Sequence, residues 1–121
     1  MTERPALPNT VGLAGTMREF MEWARSEFPE ATTLGCHRHL EEELLELGAE
    51  IMRRPKEPNG DEALELEAAA WRIRMENELA DILALAYHVA MREDLDVVRG
   101  LRRKLEINKR RTWRRDGTRE K

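Results

Sequence analysis

Residues 61–93, DEALELEAAAWRIRMENELADILALAYHVAMRE, decide the fold. Apolar side chains recur there in steps of three and four, at Leu64, Ala68, Trp71, Met75, Ile82, Leu85 and Val89. That spacing marks one face of a helix, and no Pro or Gly interrupts it. At about 1.5 Å of rise per residue, a helix over 61–93 is longer than a compact domain of this size is wide. The expectation is that its overhang packs on another subunit rather than that the helix kinks.

Working toward the N-terminus, the turn-rich segment PKEPNGD (residues 55–61) is one that no helix crosses. Before it, Leu40, Leu44, Leu47 and Ile51 form the apolar stripe of a helix over 35–54. Earlier still, Thr16 and Glu19 have capping-box spacing, which predicts a helix over 17–27 that stops before Pro29. Met17, Phe20, Met21, Ala24 and Phe28 form its apolar side. Toward the C-terminus, Val97, Val98, Leu101 and Leu105 form the expected core face of a helix over 96–111. The reading is an all-α fold with a four-helix bundle-type core, completed by oligomerisation. Residues 1–15 are expected as an irregular arm, 16–113 as the helical domain and 114–121 as a polar basic tail.

Composition agrees. A chain of 121 residues has room for one domain, and 37% charged with 5% aromatic residues suits solvated helices and leaves little to build a sheet. The net charge of -3 hides an asymmetry. From Arg102 to Lys121 there are ten Lys/Arg against three Asp/Glu, a balance of +7, which leaves -10 on the rest. A basic end of this kind is expected to meet something anionic. Cys36 is the sole cysteine, so no intrachain disulfide forms and a reducing compartment fits. The opening residues lack the apolar core of a secretory signal, and no run approaches the ~20 apolar residues of a membrane span. The expectation is a cytoplasmic protein with no membrane partner.

Two acidic pairs carry the chemistry. EELLE holds Glu42, Glu43 and Glu46 on the second helix, and ELAD holds Glu78 and Asp81 on the third. Glu43 and Glu46 are three apart, as are Glu78 and Asp81, so each pair shares a helix face. Two antiparallel helices can thus aim four carboxylates at one point. Hard oxygen donors without thiolate select Mg²⁺, or Mn²⁺, over zinc or copper. Glu78 falls inside the apolar stripe, where an ionised carboxylate costs several kcal/mol unless compensated. Two carboxylates at ~4 Å repel by roughly 4 kcal/mol at an effective dielectric of about 20. A divalent cation relieves both. The competing reading is solvated surface for Glu43 and Glu46, and a salt bridge to an Arg such as Arg102 for Glu78; Glu41, Glu50, Glu65 and Glu67 are read as surface. A di-iron site is set aside because no Glu has a His three residues on.

On the fourth helix Lys104, Asn108 and Arg111 form a stripe at i, i+4 and i+7 beside Leu101 and Leu105. Such a stripe can clamp phosphate and sugar oxygens, or it can bind nucleic acid through phosphates alone. His39, one turn before Glu43, is a possible substrate contact, and Trp23 and Trp113 are candidates for stacking a base. Trp71 reads as core, and His88, seven residues past Asp81, as a helix-edge residue. Cys36, His37 and His39 match no standard zinc spacing.

EELLE, then ELAD, then K-x-x-x-N-K-R-R-x-W resembles the all-α nucleoside triphosphate pyrophosphohydrolases, the MazG-like superfamily with its dCTP pyrophosphatases and dimeric dUTPases. The resemblance covers residues 37–113 and is strongest over 76–113. It implies a homodimer or homotetramer and hydrolysis of a (deoxy)nucleoside triphosphate to monophosphate and pyrophosphate, in nucleotide-pool house-cleaning. Glu43, Glu46, Glu78 and Asp81 match the family's Mg²⁺ ligands, with Glu43 or Glu46 acting on the attacking water and Glu42 supporting the site. Lys104 and Asn108, with Arg111, match its phosphate- and sugar-contacting positions; His39 and Trp113 are further substrate candidates. Leu45 stands where many relatives have Gly, and the gap from Glu46 to Glu78 is long for the group. The alternative from another class is a non-catalytic helical dimer that binds nucleic acid through its basic C-terminal segment.

Overall fold

A computed structural model describes the chain over residues 10–120. Four helices account for most of it: α1 (Thr10–Glu27), α2 (Thr33–Met52), α3 (Glu62–Arg92) and α4 (Val97–Arg110). The helices start where side chains can take up free backbone N–H groups. Thr32 accepts from the Gly35 amide, Asp61 from those of Ala63 and Leu64, and Asp96 from that of Arg99. The turn before α3 carries Asn59 and Gly60 at positive φ, as its PNGD sequence anticipates. At the other end of α3, Asp94 takes the left-handed conformation. The Asp94 amide bonds the Met91 carbonyl and the Leu95 amide bonds the Ala90 carbonyl, a Schellman closure made without glycine.

α2 and α3 pack as an antiparallel hairpin, and α1 lies against α3. Polar rungs set the hairpin's register. Thr33 donates to the Glu93 carboxylate at one end. At the other, the Trp71 indole N–H donates to the Glu50 carbonyl at 2.8 Å, while Arg74 holds the Glu50 carboxylate at 2.8 Å. Trp71 is half-buried rather than sealed in a core, and Arg54 lies 5.4 Å from its ring centroid.

The stripe read along residues 61–93 is the observed inner face of α3: all seven of its members are buried or half-buried. On α2 the buried face is turned relative to the expected stripe. Cys36, Glu43 and Glu50 are buried and Leu40 and Leu47 half-buried, whereas Leu44 and Ile51 are exposed. Glu50, expected at the surface, is only 5% exposed. Arg74 and Arg53 compensate it, and the Arg74 hydrogen bond above all holds its carboxyl below the usual range.

Further expectations are corrected. Helix α1 begins at Thr10, so residues 10–15 are helical rather than an irregular arm; residues 1–9 lie outside the described residues. Thr16 is not a cap, because its hydroxyl donates to the Gly12 carbonyl one turn back at 2.8 Å, inside the helix. Helix α4 makes little contact with the other three: Val97 is half-buried, but Val98, Leu101 and Leu105 are exposed, Leu101 by 69%. Beyond α4 the polar basic tail folds back on itself. Trp113 and Arg119 form an antiparallel bridge around a turn with Gly117 at positive φ, and Asp116 accepts from Thr118.

Ala24 on α1 is fully buried, at 0% exposure. Ala24→Leu is therefore expected to overpack α1 and lower stability by about 1–3 kcal/mol, read from the urea midpoint. An unchanged midpoint would show that α1 is not closely packed.

Candidate metal and ligand site

The hairpin brings the two acidic motifs together. Glu43 projects from the buried face of α2 at 8% exposure, and Glu78 sits half-buried on the inner stripe of α3. Carboxylate oxygens of Glu43, Glu46 and Glu78 all lie within 4.8 Å of one another. Asp81, one turn beyond Glu78, is outside this tight triad, yet its charge acts on Glu43. No cation from Lys or Arg reaches the cluster among the described residues; the nearest basic group is His39, whose Nε2 is 3.2 Å from Glu43 Oε1. The salt bridge of the competing reading for Glu78 is not formed among the described residues.

Two oxygens are left over. Glu43 Oε2 and Glu78 Oε2 are buried and have no hydrogen-bond partner among the described residues. Buried polar atoms without partners are uncommon because each forfeits its hydration for nothing. In the Glu43 carboxyl that cost appears as a pKa pushed up to about 7. Burial is the largest cause, followed by hydrogen-bonding proximity to Glu78 and by the charges of Glu46 and Asp81. Glu50, seven residues along the same face, is held down by arginines. The contrast separates a structural carboxylate from one that lacks its counter-charge. The donor set, all carboxylate and partly buried, fits a hard divalent cation.

Beside the cluster opens a cavity of about 800 Å³. Phe20 and Trp23 of α1, Phe28 of the following turn, Cys36 of α2 and Leu85 and His88 of α3 form its walls. Glu43, His39 and Asp81 also border it, so two of the four carboxylates, those of Glu43 and Asp81, face the same space as the aromatic walls. Trp23 stacks obliquely on Phe20, at 5.8 Å, and edge-on to Phe28, at 5.2 Å. A ligand with a planar apolar part, joined to the carboxylates through a cation, matches this division.

The α4 candidates lie elsewhere. Lys104, Asn108, Arg111 and Trp113 do not line the cavity. Lys104 is exposed, the Asn108 carbonyl accepts the Trp113 indole N–H at 2.7 Å, and Arg111 follows as the residue after the helix. His88, read as a helix-edge residue, is instead buried at 5% exposure in the cavity wall. Its spacing of seven from Asp81 and four from Arg92 was the available signal. Phe20, Phe28 and Cys36 gave none beyond ordinary packing.

The sign of the Glu43 shift makes a prediction. A carboxyl whose folded pKa is about 7 binds its proton more tightly folded than unfolded. In chelator, the melting temperature should therefore fall as pH rises from about 5 to about 8, and Glu43→Gln should flatten that slope. A wild-type slope unaffected by the substitution would contradict the geometry. The chain is thus an all-α, four-helix domain with an acidic cluster able to chelate a cation, and no family model, curated protein or solved structure matches it.

Proposed function

We propose that this protein is a Mg²⁺-dependent nucleotide pyrophosphohydrolase of the MazG-like kind, converting a (deoxy)nucleoside triphosphate to monophosphate and pyrophosphate. One observation carries the reading. Glu43 Oε2 and Glu78 Oε2 are buried, unpartnered and clustered with Glu46 at the edge of an aromatic cavity. Burial without a counter-charge is a cost that cation ligation relieves, the ion replacing the proton that the raised pKa keeps on Glu43.

Glu43, Glu46, Glu78 and Asp81 would hold the ion. When bound, a divalent cation supplies charge to the phosphate oxygens and makes a water more acidic. Glu46, the exposed member of the triad, or Glu43 beside it, accepts the proton of the attacking water on a carboxylate oxygen. The aromatic walls around Trp23 exclude water and receive the base, and His39 borders the space between base and phosphates. Lys104, Asn108 and Arg111, with Trp113, serve the phosphates and sugar once α4 is placed by assembly. The exposed apolar side chains of α4 together with Leu45, Met52 and Leu66 supply the surface for a homodimer or homotetramer.

A panel of NTPs and dNTPs, each with Mg²⁺ and with EDTA, tests the reaction by its products. Monophosphate and pyrophosphate are expected with Mg²⁺ alone. Glu43→Gln or Asp81→Asn should lower kcat by about 100-fold or more, since even groups behind the ligands are worth about 10- to 100-fold. Full activity in both variants would remove these carboxylates from the mechanism. No turnover, with salt-sensitive binding of DNA or RNA, would instead favour a nucleic-acid role for the basic segment.

The assembly makes its own prediction. Leu101→Glu should convert an oligomer to monomer in light scattering at micromolar concentration, and a wild-type monomer would refute the interface.

A further inference from the structure

His88 is a buried polar side chain of the cavity wall that the proposed chemistry leaves unused. Its ring lies edge-on to Phe20, with centroids 6.5 Å apart, and tilted against Phe28 at 6.4 Å. Arg92, one turn along α3, donates its Nε–H to His88 Nε2 at 3.1 Å. The same guanidinium donates to the Phe28 carbonyl, which ties it to the turn after α1. An Nε2 that accepts cannot carry a proton, so the neutral imidazole has its proton on Nδ1. Burial, then the Arg92 charge, lowers the pKa of His88 and keeps the ring neutral.

The Nδ1–H has no protein acceptor among the described residues. His88 lines the cavity, and with Nε2 taken by Arg92 its Nδ1–H is the ring's remaining donor for a ligand there. A residue needed only for packing between two phenylalanines would not require a nitrogen, nor an arginine to fix its tautomer.

We propose that His88 is a specificity-determining residue: its Nδ1–H donates to a carbonyl oxygen on the edge of a planar heterocycle held between the aromatic walls of the cavity. The heterocycle is the base of the nucleotide in the reading above, on which this inference rests. A base with a keto oxygen at that edge completes the bond. A base with an amino group there sets donor against donor at the buried His88 ring, and binds more weakly because the His88 N–H stays without a partner.

Nucleoside binding, without phosphate and in EDTA, separates this from the catalytic reading. The full-length protein is titrated by NMR with inosine against adenosine and with uridine against cytidine, each pair differing by keto against amino. The keto member of at least one pair should bind about 5- to 10-fold tighter, the worth of one hydrogen bond. His88→Phe should abolish that preference, while His88→Asn, whose amide N–H₂ stands close to the Nδ1 position, should keep it. In wild-type protein with ¹⁵N-labelled histidine, the preferred nucleoside should shift the protonated Nδ1 resonance and its amino counterpart should not. The inference is overturned by equal binding within both pairs, by a preference that survives in His88→Phe, by an Nε2-protonated His88, or by no nucleoside binding at all. Failure here with intact Mg²⁺-dependent hydrolysis would leave the carboxylate reading standing. Selective nucleoside binding without hydrolysis would do the reverse.

Discussion

Two glutamates seven residues apart on α2 are pressed against α3, and only Glu50 has its charge answered, by Arg74 and Arg53. Glu43 has a histidine on one oxygen and nothing on the other. The consequences reach through the hairpin. Because the Glu50–Trp71–Arg74 rung and the Thr33–Glu93 contact fix the register, the sequence cannot slide Glu43 away from Glu78 without breaking bonds at both ends. The fold therefore holds like charges together against their repulsion. Such an arrangement persists when the rest of the packing over-determines it, and it is the usual cost of a preorganised site.

The second constraint is Arg92. It stands where α3 ends, binds the Phe28 carbonyl beyond α1 and the His88 ring within α3, and lies close enough to Cys36 of α2 to oppose the rise that burial gives that thiol's pKa. One guanidinium thus touches, or acts on, all three sides of the aromatic cavity. Its fork of donors suits the task, since Lys offers a single point charge. The cavity is less a gap left by packing than a space whose walls are tied at one corner. The carboxylates lie along its other border through Glu43 and Asp81.

The parts of this molecule that are legible in sequence are those governed by one helix at a time. The α3 stripe from Leu64 to Val89 repeats so regularly that its inner face follows from periodicity, and the motif pairs at 43/46 and 78/81 follow from helical spacing. What depends on two elements together was harder to see. The face of α2 turned toward α3 runs through Cys36, Glu43 and Glu50 because the Arg74 and Trp71 partners lie on the other helix, where no pattern in α2 announces them. The start of α1 was hidden by Gly12, Gly15 and a Thr16 that bonds backward instead of capping. His88 looked peripheral because its burial comes from Phe20 and Phe28, far away in the chain.

Helix α4 is where a single chain falls short of its own sequence. Its apolar residues recur on one side, as core-facing residues should, yet Leu101 and Leu105 stay in water and no other helix packs along them. Leu45, Met52 and Leu66 are as exposed on the α2–α3 hairpin. Two unmatched apolar surfaces in one small domain are what a subunit contact removes, and a chain this short gains much from burying them. Charge points the same way. The segment from Arg102 onward carries +7 and the remainder -10, so copies that set α4 of one against the hairpin of another bring opposite fields together. In the proposed homo-oligomer Lys104 and Arg111 need not reach their own cavity, because the cations missing around Glu43 would come from a neighbouring copy.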